Sequence, residues 1–113
     1  MASPNEVRVQ FDTLRSLAFG SISGTYAAIG TAFTRPARMI KISNQTNADM
    51  FISFDGTNNH DLVASNGFVL YDYNSNMSAQ GGYFMQKAGT VVYVKQVSAP
   101  TSGSVYVTVI YAE

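Results

Sequence analysis

Ser104-Val105-Tyr106-Val107-Thr108-Val109-Ile110-Tyr111 reads as one strand that is apolar on both faces. Neighbouring side chains of a strand point to opposite faces, so Val105, Val107, Val109 and Tyr111 share one side. Tyr106, Thr108 and Ile110 share the other. A strand with two apolar faces has two homes. It lies at the centre of a sandwich, or it forms part of a subunit interface. Of the two, the central position is the commoner.

The same period of two runs outward from this segment. Tyr83–Met85 and Val91–Lys95 read as short strands, with a turn at Lys87-Ala88-Gly89 between them and a Ser98–Gly103 loop after them. Phe68–Tyr73 alternates Phe68, Leu70 and Asp72 against Val69, Tyr71 and Tyr73. Asp61–Ala64 is a short strand, closed by the turn Ser65-Asn66-Gly67. Ala37–Ser43 puts Ile40 and Ile42 on one face. Met50, Ile52 and Phe54 share a face of the next strand. Asn44–Asn47 is a cluster of turn formers whose side chains bond their own backbone, so a hairpin is expected between these two strands. Asp55-Gly56 ends the second of them. Nearer the start, Val7, Val9 and Phe11 alternate with Arg8, Gln10 and Asp12, residues 15–22 form a short strand, and 23–26 a turn. The expected fold is all-β: a jelly-roll-like β-sandwich or small barrel of about eight short antiparallel strands. Residues 1–13 form an N-terminal arm or edge strand, and 14–113 a single sandwich domain.

Composition narrows the chemistry. Only 12% of the 113 residues are charged, seven basic against seven acidic, while 46% are hydrophobic. A soluble domain ordinarily carries about 25% charged residues. Uncharged polar groups are easier to desolvate than ions, which suits a surface covered by neighbours. No basic run follows a phosphate backbone, so no nucleic-acid partner is expected. Without cysteine there is no disulfide, no thiol nucleophile and no cysteine-based zinc site. Met1–Glu6 has neither the basic region nor the apolar run of a secretory leader, and no stretch reaches the ~20 apolar residues that span a bilayer. No membrane partner is expected.

Candidate reactive groups are few. His60, the one histidine, lies in Asp55-Gly56-Thr57-Asn58-Asn59-His60-Asp61. Such a loop offers the hard oxygens that calcium takes, but the spacing is not that of an EF-hand. A loop of Asn, Asp and Gly is also expected without any function. Asp49, Asp55 and Asp61 sit at strand ends, where acidic residues are ordinary; Asp72 lies within a strand. No Gly-x-Ser-x-Gly elbow is present. Neither catalysis nor a metal or other cofactor is expected. Seven tyrosines and no tryptophan give stacking or interface groups, although tyrosines packed across a sheet are the ordinary case.

Met39–Gly56, Gly67–Asp72 and Gly103–Tyr111 together resemble small structural proteins encoded among the virion genes of tailed bacteriophages, through the phrasing Asn44-x-Thr46-x-Ala48-Asp49 and Ser53-Phe54-Asp55-Gly56. The resemblance covers roughly residues 14–113 and rests on strand-and-turn patterns. It implies a non-enzymatic virion protein, assembled in the host cytoplasm: a capsid decoration (cement) protein, or a collar or tail component. Its expected partners are itself, as a trimer, pentamer or hexamer, and the major capsid protein, portal, connector or tail proteins. The candidate interaction residues are Val7, Val9, Phe11, Tyr71, Tyr73 and Tyr83. The alternative is a carbohydrate-binding module for host attachment, using the loops at 55–61 and 74–83.

Overall fold

The computed structural model describes residues 8–73 and 85–112. Val7, Tyr83, the loop at 74–83 and most of the strand expected at 83–85 lie outside them. The strands are β1 (Val9–Phe11), β2 (Arg15–Ala18), β3 (Ala27–Ala28), β4 (Ala37–Asn44), β5 (Met50–Ser53), β6 (Asp61–Val63), β7 (Phe68–Asp72), β8 (Tyr93–Gln96) and β9 (Ser104–Ala112). A 3-10 turn, Phe19–Ser21, follows β2. The protein is all-β.

Two antiparallel sheets face each other. In the first, β9 is flanked by β4 and then β7 on one side. Its other side is shared end to end by β1, which pairs with residues 110–112, and β2, which pairs with 104–107. In the second the order is β3-β8-β5-β6. The core lies between them. Ile40, Ile42, Val105, Val107 and Val109 of the first sheet meet Met50, Ile52, Val63 and Val94 of the second. All of these are buried. Thus β9 is an interior strand of its sheet. Its odd-numbered valines fill the core, while Tyr106, Thr108 and Ile110 stay half-exposed on the outer face.

The hairpin expected between β4 and β5 does not form. β4 pairs with β7 and β9, and β5 with β6 and β8. The connection between them crosses from one sheet to the other, and the reason is Asn44. Its side chain is fully buried. It donates to the carbonyls of Ala48 (2.8 Å) and Val63 (3.0 Å) and accepts from the Thr46 N–H (3.0 Å) and hydroxyl (2.6 Å). A buried amide with its bonds satisfied holds the chain in a corner rather than a flat two-strand turn. The corner is locked from outside. Asn47 and Thr101 exchange two hydrogen bonds, Ser65 donates to the Thr46 carbonyl, and the Gln45 N–H donates to Ser104. Gly103 (φ +88°) passes so close that a Cβ there would lie 2.0 Å from the Gln45 carbonyl oxygen.

A second joint breaks the N-terminal strand into β1 and β2. Arg15 is 4% exposed. It donates to the carbonyls of Thr13 (2.8 Å), Thr31 (2.6 Å) and Ala32 (2.8 Å) and to Asp12 (3.3 Å), and lies over the Phe33 ring. Gly30 leaves room for the Arg15 stem, whose Cγ would be 2.8 Å from a Cβ at that position. This buried cation therefore ties the 12–14 bend to the 30–34 loop.

Candidate functional site

Strand register arranges the outer face of the first sheet into rows. Directly paired residues project to the same side. Phe11, Ile110, Met39 and Asp72 form one row across β1, β9, β4 and β7. Thr108, Lys41 and Leu70 form the next, and Ser16, Tyr106, Ser43 and Phe68 the third. Val9 extends the face beyond Phe11. Several of these side chains are large, apolar and exposed: Phe11 at 69%, Phe68 at 65%, Val9 at 61% and Leu70 at 48%. Isolated exposed hydrophobics need no explanation, but several on one sheet face make that face the candidate interaction surface. Among the described residues, the charge near its middle is Lys41, whose ammonium sits 5.1 Å from the centre of the Phe68 ring.

The outer face of the second sheet is built differently. Lys95 lies over both the Tyr26 and the Phe51 rings, at 4.8 and 5.4 Å. Both rings are half-buried, unlike Phe11 and Phe68 on the first sheet.

Of the expected interaction residues, Val9 and Phe11 lie on the exposed face, and within this chain their strand pairs with β9. Tyr71 and Tyr73 point the other way and pack against the core. The Tyr71 hydroxyl donates to Asp61, and its ring meets Phe54 edge-on. Burial, reinforced by the Asp61 carboxylate, holds the Tyr71 phenol well above its ordinary range. Val7 and Tyr83 fall outside the described residues. Phe68, Leu70, Met39 and Ile110 were not among the candidate interaction residues, and Tyr106 entered only as one of the seven tyrosines. The alternation of residues 68–73 carried the signal, but both sets were apolar, so it left open which set faces inward.

The loop at 53–61 is tightly self-bonded. Asp55 accepts from the N–H groups of Asn58 and Thr57, from the Asn58 amide and from the Ser53 hydroxyl, which hold its carboxyl well below the ordinary 3.8. His60 Nδ1 accepts the Phe54 N–H at 3.0 Å, which leaves Nε2 as the protonated nitrogen of the neutral ring. Nε2 lies 3.7 Å from Asp55. These contacts build the loop and aim no free base at a common point. Asp49 accepts from the Ser65 N–H. Among the described residues, no three His, Cys, Asp or Glu side chains are grouped to hold a metal ion.

Comparisons of the chain with protein-family models, curated proteins and solved structures return no match.

Proposed function

We propose that this chain is a non-enzymatic structural protein of a tailed-phage virion, a capsid decoration protein or a collar or tail component. It acts by docking the outer face of its first sheet on other virion proteins. The observation that carries the reading is that face, with Val9, Phe11, Phe68 and Leu70 exposed together. Three further points support it. The sequence resembles virion-encoded structural proteins. Its low charge keeps desolvation on assembly inexpensive. With β1 and β2 counted as one interrupted strand, the order [β1/β2]-β9-β4-β7 over β3-β8-β5-β6 supports reading the sandwich as a jelly roll, an architecture used in viral capsids.

Jelly rolls also serve as lectins, so fold analogy alone does not separate the two readings. Carbohydrate binding has weaker support in the side chains. The Tyr26 ring carries Lys95, and its hydroxyl bonds Asn59.

The test is co-sedimentation of the purified protein with heads, connectors and tails of the phage that encodes it. Wild type should pellet with one of the three. A Phe11→Ser/Phe68→Ser/Leu70→Ser variant should remain in the supernatant while keeping its β circular dichroism. Wild-type protein that binds none of the three particles, yet binds a glycan array, overturns the proposal.

A further inference from the structure

We propose that the outer face of the first sheet pairs with the same face of a second copy of this chain, about a two-fold axis running diagonally across the strands. The inference rests on the docking reading above and names one occupant of that surface.

The first step is the handedness of the grid. Among residues of β9, the outward-facing Ser104 gives its carbonyl to Gln45, on the β4 side, and the inward-facing Val109 gives its carbonyl to Asp12, on the β1 side. For L-residues in a strand running upward with the side chain toward the viewer, the backbone polar groups point right. Seen from outside with β9 running up, β4 and β7 therefore lie to the right and β1 and β2 to the left. Phe11 is then at the upper left and Phe68 at the lower right. Asp72 is at the upper right and Ser16 at the lower left.

The second step is twist. Neighbouring strands rotate by about −20 to −25°, which turns a sheet into a saddle. In the view just defined, this hand raises the upper-left and lower-right corners toward the viewer and lowers the other two. With strands about 4.8 Å apart, each corner stands roughly 4 Å above or below the centre. The raised corners are therefore the apolar ones, Phe11 with Val9 and Ile110, and Phe68 with Leu70. The recessed corners carry Asp72 and Ser16.

This distribution is self-complementary. A two-fold axis along the recessed diagonal sets the Phe11 corner of each copy on the Phe68 corner of the other, with the strands of the two sheets crossing near 90°. The surfaces touch at both raised corners and part in the middle, where Lys41 leaves the sheet; its ammonium borders the Phe68 corner. Two phenylalanines with Leu70, Ile110 and Val9 bury on the order of 500 Å² per copy, or about 1,000 Å² in total, the lower bound for a specific interface. The contact is therefore reversible.

The absence of cysteine makes the test clean. Phe11→Cys and Phe68→Cys are made as separate proteins. Within one chain these positions lie roughly 20 Å apart across the sheet, too far for an internal disulfide. Under mild oxidation the mixture should form the mixed 11–68 dimer at least ten times faster than either protein alone forms its symmetric dimer. Light scattering should show a concentration-dependent dimer of the wild type that Phe68→Asp abolishes with the circular dichroism unchanged. A wild type that stays monomeric, or single variants that cross-link as fast as the mixture, overturns the pairing. If cross-linking fails while phage particles still capture the protein, the pairing is wrong and the docking reading stands. If the mixed dimer forms and no particle binds the protein, the virion reading falls and the pairing stands.

Discussion

At the scale of single residues, the strongest constraints come from backbone approach and from one buried cation. Three glycines separate the effects. Gly24 has open space around its missing Cβ, Gly89 has open space but φ +87°, and Gly103 combines φ +88° with the 2.0 Å approach to Gln45. Gly24→Ala should change stability by no more than about 0.5 kcal/mol, and Gly89→Ala should cost about 1 kcal/mol. Gly103→Ala should cost about 4 kcal/mol, because backbone must move. Urea titrations that rank the three otherwise refute the described 44–47 corner. Arg15 gives a second prediction. Arg15→Ala takes the guanidinium donors from the Thr31 and Ala32 carbonyls and the paired charge from Asp12, and should cost about 3–5 kcal/mol. Burial pushes the Asp12 carboxyl up, but bonds from Thr13, from the Thr34 N–H and hydroxyl, and the charge of Arg15 outweigh it and bring it below 3.8. A depressed folded value means that the stabilisation is complete above the unfolded value and is lost as pH falls through the folded one. Acid unfolding should therefore steepen below about pH 4, and Asp12→Asn should flatten that limb. None of this was legible in the sequence. An arginine beside an aspartate three residues away looks like a surface pair until the 30–34 loop closes over it.

At the scale of elements, periodicity located most strands to within a few residues. β4, β5, β6, β7 and β9 were all visible as alternating runs bounded by Gly, Asn and Ser. Partnership was not visible. Asn44–Asn47 looks like a hairpin turn because the same residue types serve hairpins and corners. Only burial of the Asn44 amide distinguishes the two. Asn44→Ala should therefore cost about 3 kcal/mol, since the Val63 and Ala48 carbonyls lose the amide donor and the Thr46 N–H loses its acceptor. A loss under 1 kcal/mol in thermal melts would remove the amide as the cause of the crossing. The two-faced reading of β9 yields a contrast between faces. Val107→Asp places a charge at a fully buried position and should unfold the domain, a penalty of several kcal/mol against a stability of about 5–15 kcal/mol. Thr108→Asp, on the outer face, should leave the melt within a few degrees of wild type.

At the scale of the whole molecule, a closed core and a bare outer face are made by the same alternation. The valines of β9 saturate one side of the first sheet, and residues of equal β propensity on the other side stay half-exposed. The N-terminal segment takes part in both. As β1 and β2 it covers the free edge of β9, and through Phe11 it supplies one apolar corner. Deleting residues 1–13 should therefore uncover the upper edge of β9 and promote aggregation. For that reason substitutions on the face, rather than truncation, test the docking. The working surface was legible only in outline. Low charge and an excess of apolar strand residues led to the expectation of a covered protein, but the face proposed for docking follows from register and twist. A density map of the assembled particle tests this account most directly. It should place Phe11, Phe68 and Leu70 within about 4.5 Å of a neighbouring chain. A map in which these side chains face solvent while the 55–61 loop makes the contacts would contradict it.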